Sequence, residues 1–238
     1  YYLTLREQNS APYSSFFRFG SLSIASSSPE KFLSLDQMGY LESKPIKGTL
    51  GRISDSELDG IEEQRLQGLS ECAKNRAENL MIVDLVRHEF NRVCDLGSVH
   101  VAKLMAIESY ATVHHMVSTI RGKKSEDKSM IDCVKSTFPG GSMTGAPKIR
   151  TMAIIDKNEI AARGIYSGSI GFFSLNNTMQ LNIVIRTVVF DCSNNDSQIY
   201  LGSGGAVTTL SSREDEYREI IVKSHALVSC FDSNITLT

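Results

Sequence analysis

The chain has no excess of charge of either sign. Its 25 Lys and Arg stand against 27 Asp and Glu, a formal net charge of −2. The two signs are mixed along the sequence, which excludes a polybasic face for nucleic acid or an anionic membrane. Long apolar runs are also missing: no segment nears the ~18 residues needed to span a bilayer, and "YYLTLREQNS" has no basic lead followed by an apolar stretch, as a secretory leader would. Paired cysteines are lacking too. Cys72, Cys94, Cys133, Cys192 and Cys230 are odd in number, far apart and without CxxC spacing, which excludes a zinc knuckle or redox couple and fits reduced intracellular thiols. The triplets "NNT" at 176–178 and "NIT" at 234–236 are short enough to arise by chance. No repeat, low-complexity tract or linker interrupts the chain. What remains is small-molecule chemistry, with the cytoplasm as the expected location because any organelle signal would lie upstream of Tyr1. A first residue other than methionine is expected of a piece of a longer protein.

What is present points to one globular domain. At 238 residues and 41% hydrophobic content, folding can bury roughly 70–75% of the unfolded surface. Residues 1–47 read as strands, with "FFRFGSLSIASSS" turning at Gly20 and "KFLSLDQMGYLES" forming a hairpin. From Ser54 to Arg92 the pattern is helical, with Ser54 as N-cap, Glu57 as its capping-box partner, and Gly60 or Gly68 as the break. "GSVHVAKLMAIESY" is expected as a strand, "ATVHHMVSTI" and "KSMIDCVKSTF" as short helices, and "GAPKIRTMAIID" as a helix with Pro147 in its first turn. "GIYSGSIGFFSLNN", "MQLNIVIRTVVFD" and "QIYLGSGGAV" give three strands before a final helix from about Ser211 to Cys230. Strands at both ends and helices between them predict an α+β fold on antiparallel sheet.

Several stretches have the makings of a site. In "ESKPIKGTLGR", Lys47 is framed by a proline and a Gly-Thr turn, framing that a solvated lysine does not need. "FPGGSMTGAPK" at 138–148 places glycines, Ser142 and Thr144 ahead of a helix N-terminus, which stabilises an anion; the same pattern also reads as a plain turn into a helix. It matches neither phosphate-loop nor dinucleotide spacing. "LGSGGAV" offers backbone amides at Gly204 and Gly205. On the last helix Glu216, Glu219 and Lys223 share one face, either as a hard-cation site or as a solvated stripe. Glu78 adjoins the apolar run Leu80, Met81, Val83 and Leu85. His114 and His115 are neighbours, so at most one faces a site.

In order, "SSSPEKF", "PIKGT", "AENLMIVDLVR", "GSVHV", "VHHMVSTI", "FPGGSMTGAPK", "GIYSGSIGF", "IVIRT" and "EYREI" resemble the chorismate-utilising enzymes, and within them the branch that forms 4-amino-4-deoxychorismate for p-aminobenzoate and folate. The resemblance runs from Tyr2 to Lys223 and implies large antiparallel sheets flanking a cleft, with residues 1–238 as the carboxy-terminal, chorismate-binding catalytic domain. It also implies Mg²⁺, and ammonia from a glutamine amidotransferase, fused or separate. Sister enzymes making anthranilate or isochorismate resemble "PIKGT" with alanine in place of lysine, so Lys47 selects the branch as its nucleophile. Glu30 matches the family's general acid and His115 its site histidine. Glu78, Glu216 and Glu219 match the metal ligands, and Tyr166, Arg186, Gly204, Gly205 and Lys223, with Thr144 nearby, match the substrate-carboxylate positions. To attack, Lys47 must be neutral near pH 7, a downward shift of roughly three units or about 4 kcal/mol. Asn75 and Ala153 depart from the family pattern, each replacing an acidic residue. They leave open a domain that binds chorismate or a partner without turnover.

Overall fold

The computed structural model describes residues 1–53, 59–193 and 197–231. In chain order its elements are α1 (Tyr2–Gln8), β1 (Tyr13–Phe19), β2 (Leu22–Ser28), β3 (Lys31–Leu35), β4 (Tyr40–Lys44), β5 (Ile46–Gly51), α2 (Asp59–Glu71), α3 (Ala73–Phe90), β6 (His100–Ser109) and β7 (Val113–Lys123). There follow α4 (Met130–Thr137), the single turn α5 (Gly141–Thr144), α6 (Lys148–Asn158), β8 (Ser169–Phe173), β9 (Met179–Ile183), β10 (Thr187–Asp191), β11 (Gln198–Leu201) and α7 (Arg213–Val228). The proposed cap at Ser54 and Glu57 and the 234–236 triplet lie outside the described residues. The chain divides into two compact units.

The first unit holds Tyr1–Glu30, Arg163–Gly168 and the described residues from Ile183 on. Its sheet runs β1-β2-β10-β11, all antiparallel. The β1–β2 hairpin turns at Gly20, whose φ of +59° suits a residue without Cβ. Leu5 of α1, Ala25 of β2, Val188 of β10 and Leu227 of α7 form a fully buried cluster. The first of these corrects the expectation of strand from residue 1: Tyr2–Gln8 is a helix, because one buried leucine is enough to dock so short an amphipathic segment.

The second unit holds Lys31–Ala162 and Ser169–Asn182. Its seven strands follow the order β5-β7-β4-β3-β9-β8, with β6 also on β7. The long β7 pairs with β5 through Val113–Val117 and with β4 through Ile120–Lys123, while β6 pairs along its length. Against it pack α2 and α3. "ATVHHMVSTI" is thus the central strand and not a helix. Met116, Val117 and Ile120 are all buried, and a strand covered on both faces loses the period-2 alternation that identifies it.

Two further boundaries differ from expectation. The helical stretch breaks at Cys72, whose ψ of 108° starts a new helix, and Gly60 and Gly68 lie inside α2 because nothing crowds them into a turn. "MQLNIVIRTVVFD" is two strands belonging to different sheets, β9 and β10, parted near Arg186, whose φ is +51°. An apolar run does not reveal where a strand changes sheets. Both the antiparallel character and the α+β class are as expected, and no helix among the described residues is long and apolar enough to cross a membrane.

Lys44 of β4 donates to both carboxylate oxygens of Glu108 on β6, at 2.7 and 2.8 Å, and Tyr110 Oη adds a third bond at 3.0 Å. Burial alone would raise the Glu108 pKa; these partners outweigh it and hold the carboxyl below its ordinary 4.5. A depressed carboxylate contributes stability that is complete above the ordinary value and is lost as pH falls through the folded one. Thermal melts from pH 6 to pH 3 should therefore show a steeper acid loss in the native protein than in Glu108→Gln.

Candidate active site

In the second unit, the candidate residues gather around β5. Lys47 Nζ lies 3.8 Å from Glu78 Oε2 of α3, with side-chain exposures of 14% and 8%. The following residue makes this approach possible. Gly48 has φ +84°, and a Cβ there would lie 2.7 Å from Asn75 Nδ2 and 2.9 Å from Leu69 Cδ1. Asn75, noted as a departure, is thus the neighbour against which β5 is seated. One residue on, Thr49 pairs with His115 across the sheet, and Thr49 Oγ1 and His115 Nδ1 are 2.9 Å apart. His115 is buried, with the Tyr110 ring 5.5 Å away.

His114 serves a different purpose. Its Nδ1 meets Ser109 Oγ at 2.7 Å and its Nε2 meets Glu62 Oε1 at 2.8 Å, which ties α2 to the β6–β7 ladder. The two histidines make separate contacts, as adjacent strand residues do. The 138–148 segment contains α5 and leads into α6. Gly145 has φ +88°, Thr144 Oγ1 donates to the Gly140 carbonyl at 3.2 Å, and Pro147 at the N-cap of α6 makes no side-chain cap. The first-turn amides of α6 thus have no N-cap side chain closing over them.

The other candidates gather in the first unit around α7 and the glycine cluster. Ser212 caps α7 by accepting from Asp215 N. One turn in, Glu216 is buried, and a Cβ on Gly205 would lie 2.6 Å from its Oε2. Glycine at 205 therefore makes the room that this carboxylate occupies. Lys223 Nζ donates to the Gly204 carbonyl at 3.0 Å and pairs with Glu219 at 2.7 Å, so the acidic and basic residues read as one helical face do interact. Tyr166 lies over the same loop: a Cβ at Gly202 would fall 2.3 Å from its Cγ, and one at Gly204 3.0 Å from its Oη. Burial draws the Arg186 guanidinium below its ordinary value, and Glu219 and Tyr166 oppose that shift. A desolvated guanidinium on a strained backbone is a strong receptor for a carboxylate. Glu30 is also buried; the strand end is fixed by Ile183 N donating to the Glu30 carbonyl (3.1 Å) and by Ser28 Oγ donating to the Ile183 carbonyl (2.6 Å).

In donor chemistry a hard cation would suit either carboxylate, Glu78 in the second unit and Glu216 in the first, each of them buried. Among the described residues no group of three or more His, Cys, Asp or Glu is arranged to hold a metal ion, and Glu219 is committed to Lys223. Two polar anchors were missed by sequence reasoning, Asn79, bonded to Ser118, and the Glu89–Lys148 ion pair. Asn79 and Lys148 sit in quoted segments and Glu89 two residues past one, but neither type nor spacing shows which polar residues of a helix turn inward.

The antiparallel sheets, the buried Glu78 and Glu216 and the desolvated Arg186 fit an enzyme of the chorismate-binding class. A family model for the chorismate binding enzyme matches residues 1–229, and the chain belongs to that family. Several curated relatives share one name. The chain is 56% identical over 227 residues to the chloroplastic aminodeoxychorismate synthase of Arabidopsis thaliana, covering 94% of this chain and 24% of that protein. It is 48% identical to the aminodeoxychorismate synthase of Streptomyces griseus, over 98% of this chain and 31% of that one, and 42% identical to component 1 of the Salmonella typhimurium enzyme, over 94% and 48%. Among solved structures, anthranilate synthase component I of Streptococcus pneumoniae superposes with a TM-score of 0.80 at 32% identity, covering 94% of this chain and 48% of that one. A menaquinone-specific isochorismate synthase from Escherichia coli, at 19% identity and a TM-score of 0.78, shares the fold. The chain spans less than half the length of each of these curated relatives.

Proposed function

We propose that residues 1–238 are the chorismate-binding catalytic domain of an aminodeoxychorismate synthase, converting chorismate and ammonia to 4-amino-4-deoxychorismate. The observation that carries this reading is the 42–56% identity, over nearly the whole chain, to proteins bearing that name. Lys47, partly sheltered on β5 beside Glu78, supports it as the residue that separates this branch from its sisters.

The chemistry assigned to these side chains balances as follows. The Lys47 amine forms a bond to C2 of the ring, both ring double bonds shift, and the C4–O bond breaks; Glu30 supplies the proton with which hydroxide leaves as water. Ammonia then adds at C4, both double bonds shift back, and the C2–N bond to Lys47 breaks, leaving the enolpyruvyl group in place. Arg186, Tyr166 and Lys223, with the Gly204 and Gly205 backbone, are assigned to substrate carboxylates, as is Thr144, and His115 is assigned as the site histidine. Glu78, Glu216 and Glu219 would hold Mg²⁺, which when bound supplies positive charge for the ring carboxylate. Ammonia comes from a glutamine amidotransferase, as a fused domain or separate subunit. For compartment the proposal is the cytoplasm, the Arabidopsis thaliana relative being named chloroplastic.

The test is incubation of the full-length protein with chorismate, Mg²⁺ and an ammonium salt, with products identified by mass spectrometry. A product of the mass and fragmentation of 4-amino-4-deoxychorismate is expected; anthranilate, isochorismate or no turnover would each overturn the reading. The metal assignment has its own check. Glu216→Gln should weaken Mg²⁺ binding about 100-fold, measured by titration calorimetry of the folded protein without substrate.

A further inference from the structure

Helix α3 carries two acidic residues eleven positions apart, three helical turns and so nearly the same angular position. Glu78, near its start, meets Lys47. Glu89, in its last turn, is 4% exposed, and its partner is Lys148, the first residue of α6. Lys148 Nζ also donates to the carbonyls of Thr137, at 2.9 Å, and Pro139. An ammonium has three N–H groups, and here Glu89 and the two carbonyls take all three. Thr137 closes α4, whose terminal carbonyls favour a cation.

The consequence is topological. Lys148 stands at one end of "FPGGSMTGAP" and bonds to the residue preceding its other end and to its second residue, so a single ammonium closes the glycine-rich turn into a ring. The turn is also seated on α3 at its middle: a Cβ on Gly141 would lie 2.7 Å from Leu85 Cδ2, so the backbone there lies directly on that helix. Burial pushes the Glu89 carboxyl pKa up, and the Lys148 ammonium opposes the shift, as a buried pair requires.

We propose that Lys148 is a positioning residue, which through Glu89 and the Thr137 and Pro139 carbonyls fixes the turn bearing Thr144 onto the helix bearing Glu78, and so governs substrate affinity rather than the chemical step. This rests on the reading of the chain as a chorismate-binding enzyme.

The experiment uses the full-length protein and three variants: Lys148→Met, Lys148→Arg and the double variant Lys148→Met/Glu89→Met. The first strands a buried carboxylate and loses stability on that ground alone. The double variant replaces both charges with apolar chains of similar size, a change that is often neutral for stability, yet it still leaves the two carbonyls without their common donor. The double variant should melt close to wild type while its KM for chorismate rises about tenfold with kcat within about twofold, and amide hydrogen exchange across 138–147 quickens. Lys148→Arg, whose planar fork cannot reproduce a tripod of bonds, should fall between. A double variant with native melting, native KM and native exchange would reduce the pair to a structural tie and overturn the proposal, as would a fall in kcat at constant KM. Absence of chorismate turnover by the wild type would instead overturn the functional reading, and the exchange measurement would still decide whether the clamp exists.

Discussion

Replacing Lys47 with alanine should abolish formation of 4-amino-4-deoxychorismate, with a fall in kcat of about 10³-fold or more, while the protein stays folded and binds chorismate. The chemistry is all-or-none because alanine has no lone pair to offer C2, and a residual rate can come only from binding and charge stabilisation. The structure explains why the fold survives. Lys47 contributes backbone to β5, whose register with β7 is set by Ile46↔Val117 and Thr49↔His115, and alanine sits in that ladder without strain. Its lost partner, Glu78, keeps the Lys74 ammonium within 4.0 Å. Single-turnover assays by mass spectrometry, beside calorimetric binding of chorismate, separate the two effects. Retention of wild-type kcat would remove Lys47 from the mechanism.

The next residue carries the second large effect, and here it falls on stability. In Gly48→Ala two penalties add. A side chain at φ +84° costs roughly 1–2 kcal/mol relative to glycine. The new methyl also meets Asn75 Nδ2 and the Leu69 methyl at 2.7 and 2.9 Å, an overpacking worth roughly 1–3 kcal/mol. Denaturant unfolding should show a loss of about 2–5 kcal/mol, with activity falling too because β5 must move and Lys47 moves with it. Gly60→Ala supplies the contrast. It lies in α2 with nothing within 4 Å of the added methyl, so helix propensity alone predicts a gain of up to about 1 kcal/mol. A Gly48→Ala protein as stable as Gly60→Ala would contradict the close packing of β5 against α2 and α3.

These two residues also show what a sequence discloses and what it withholds. The odd framing of Lys47 was legible, because proline before it and Gly-Thr after it are signals that local backbone chemistry writes directly into residue type. The reason for Gly48 was not legible, since it depends on Asn75 and Leu69, which arrive more than twenty residues later. The same division holds for the elements. The two early hairpins, α4 with its Ser129–Asp132 capping box and the final helix were readable because turn glycines and caps act locally. β7 was read as a helix because burial of both faces erased its period, and the β9–β10 break was missed because no local signal marks a change of sheet. For the site, the types and spacings of Glu216, Glu219 and Lys223 were readable on one helix. Glu89 and Lys148, which meet across 59 positions of sequence, could be found only once α3 and α6 were placed.

The buried cluster of Leu5, Ala25, Val188 and Leu227 has a consequence for biosynthesis. A ribosome adds roughly 5–20 residues each second, and Leu227 follows Leu5 by more than two hundred positions. The amino-terminal helix and its hairpin therefore wait about 10–45 s for the carboxy-terminal helix that covers them. During that interval the second unit, Lys31–Ala162 and Ser169–Asn182, has time to fold as the nascent chain lengthens, whereas the first unit cannot close until α7 is made. Until α7 is made, Leu5 and Ala25 lack the cover that Leu227 gives them, so chaperone occupancy on residues 1–30 of stalled nascent chains should be higher before α7 has emerged than after.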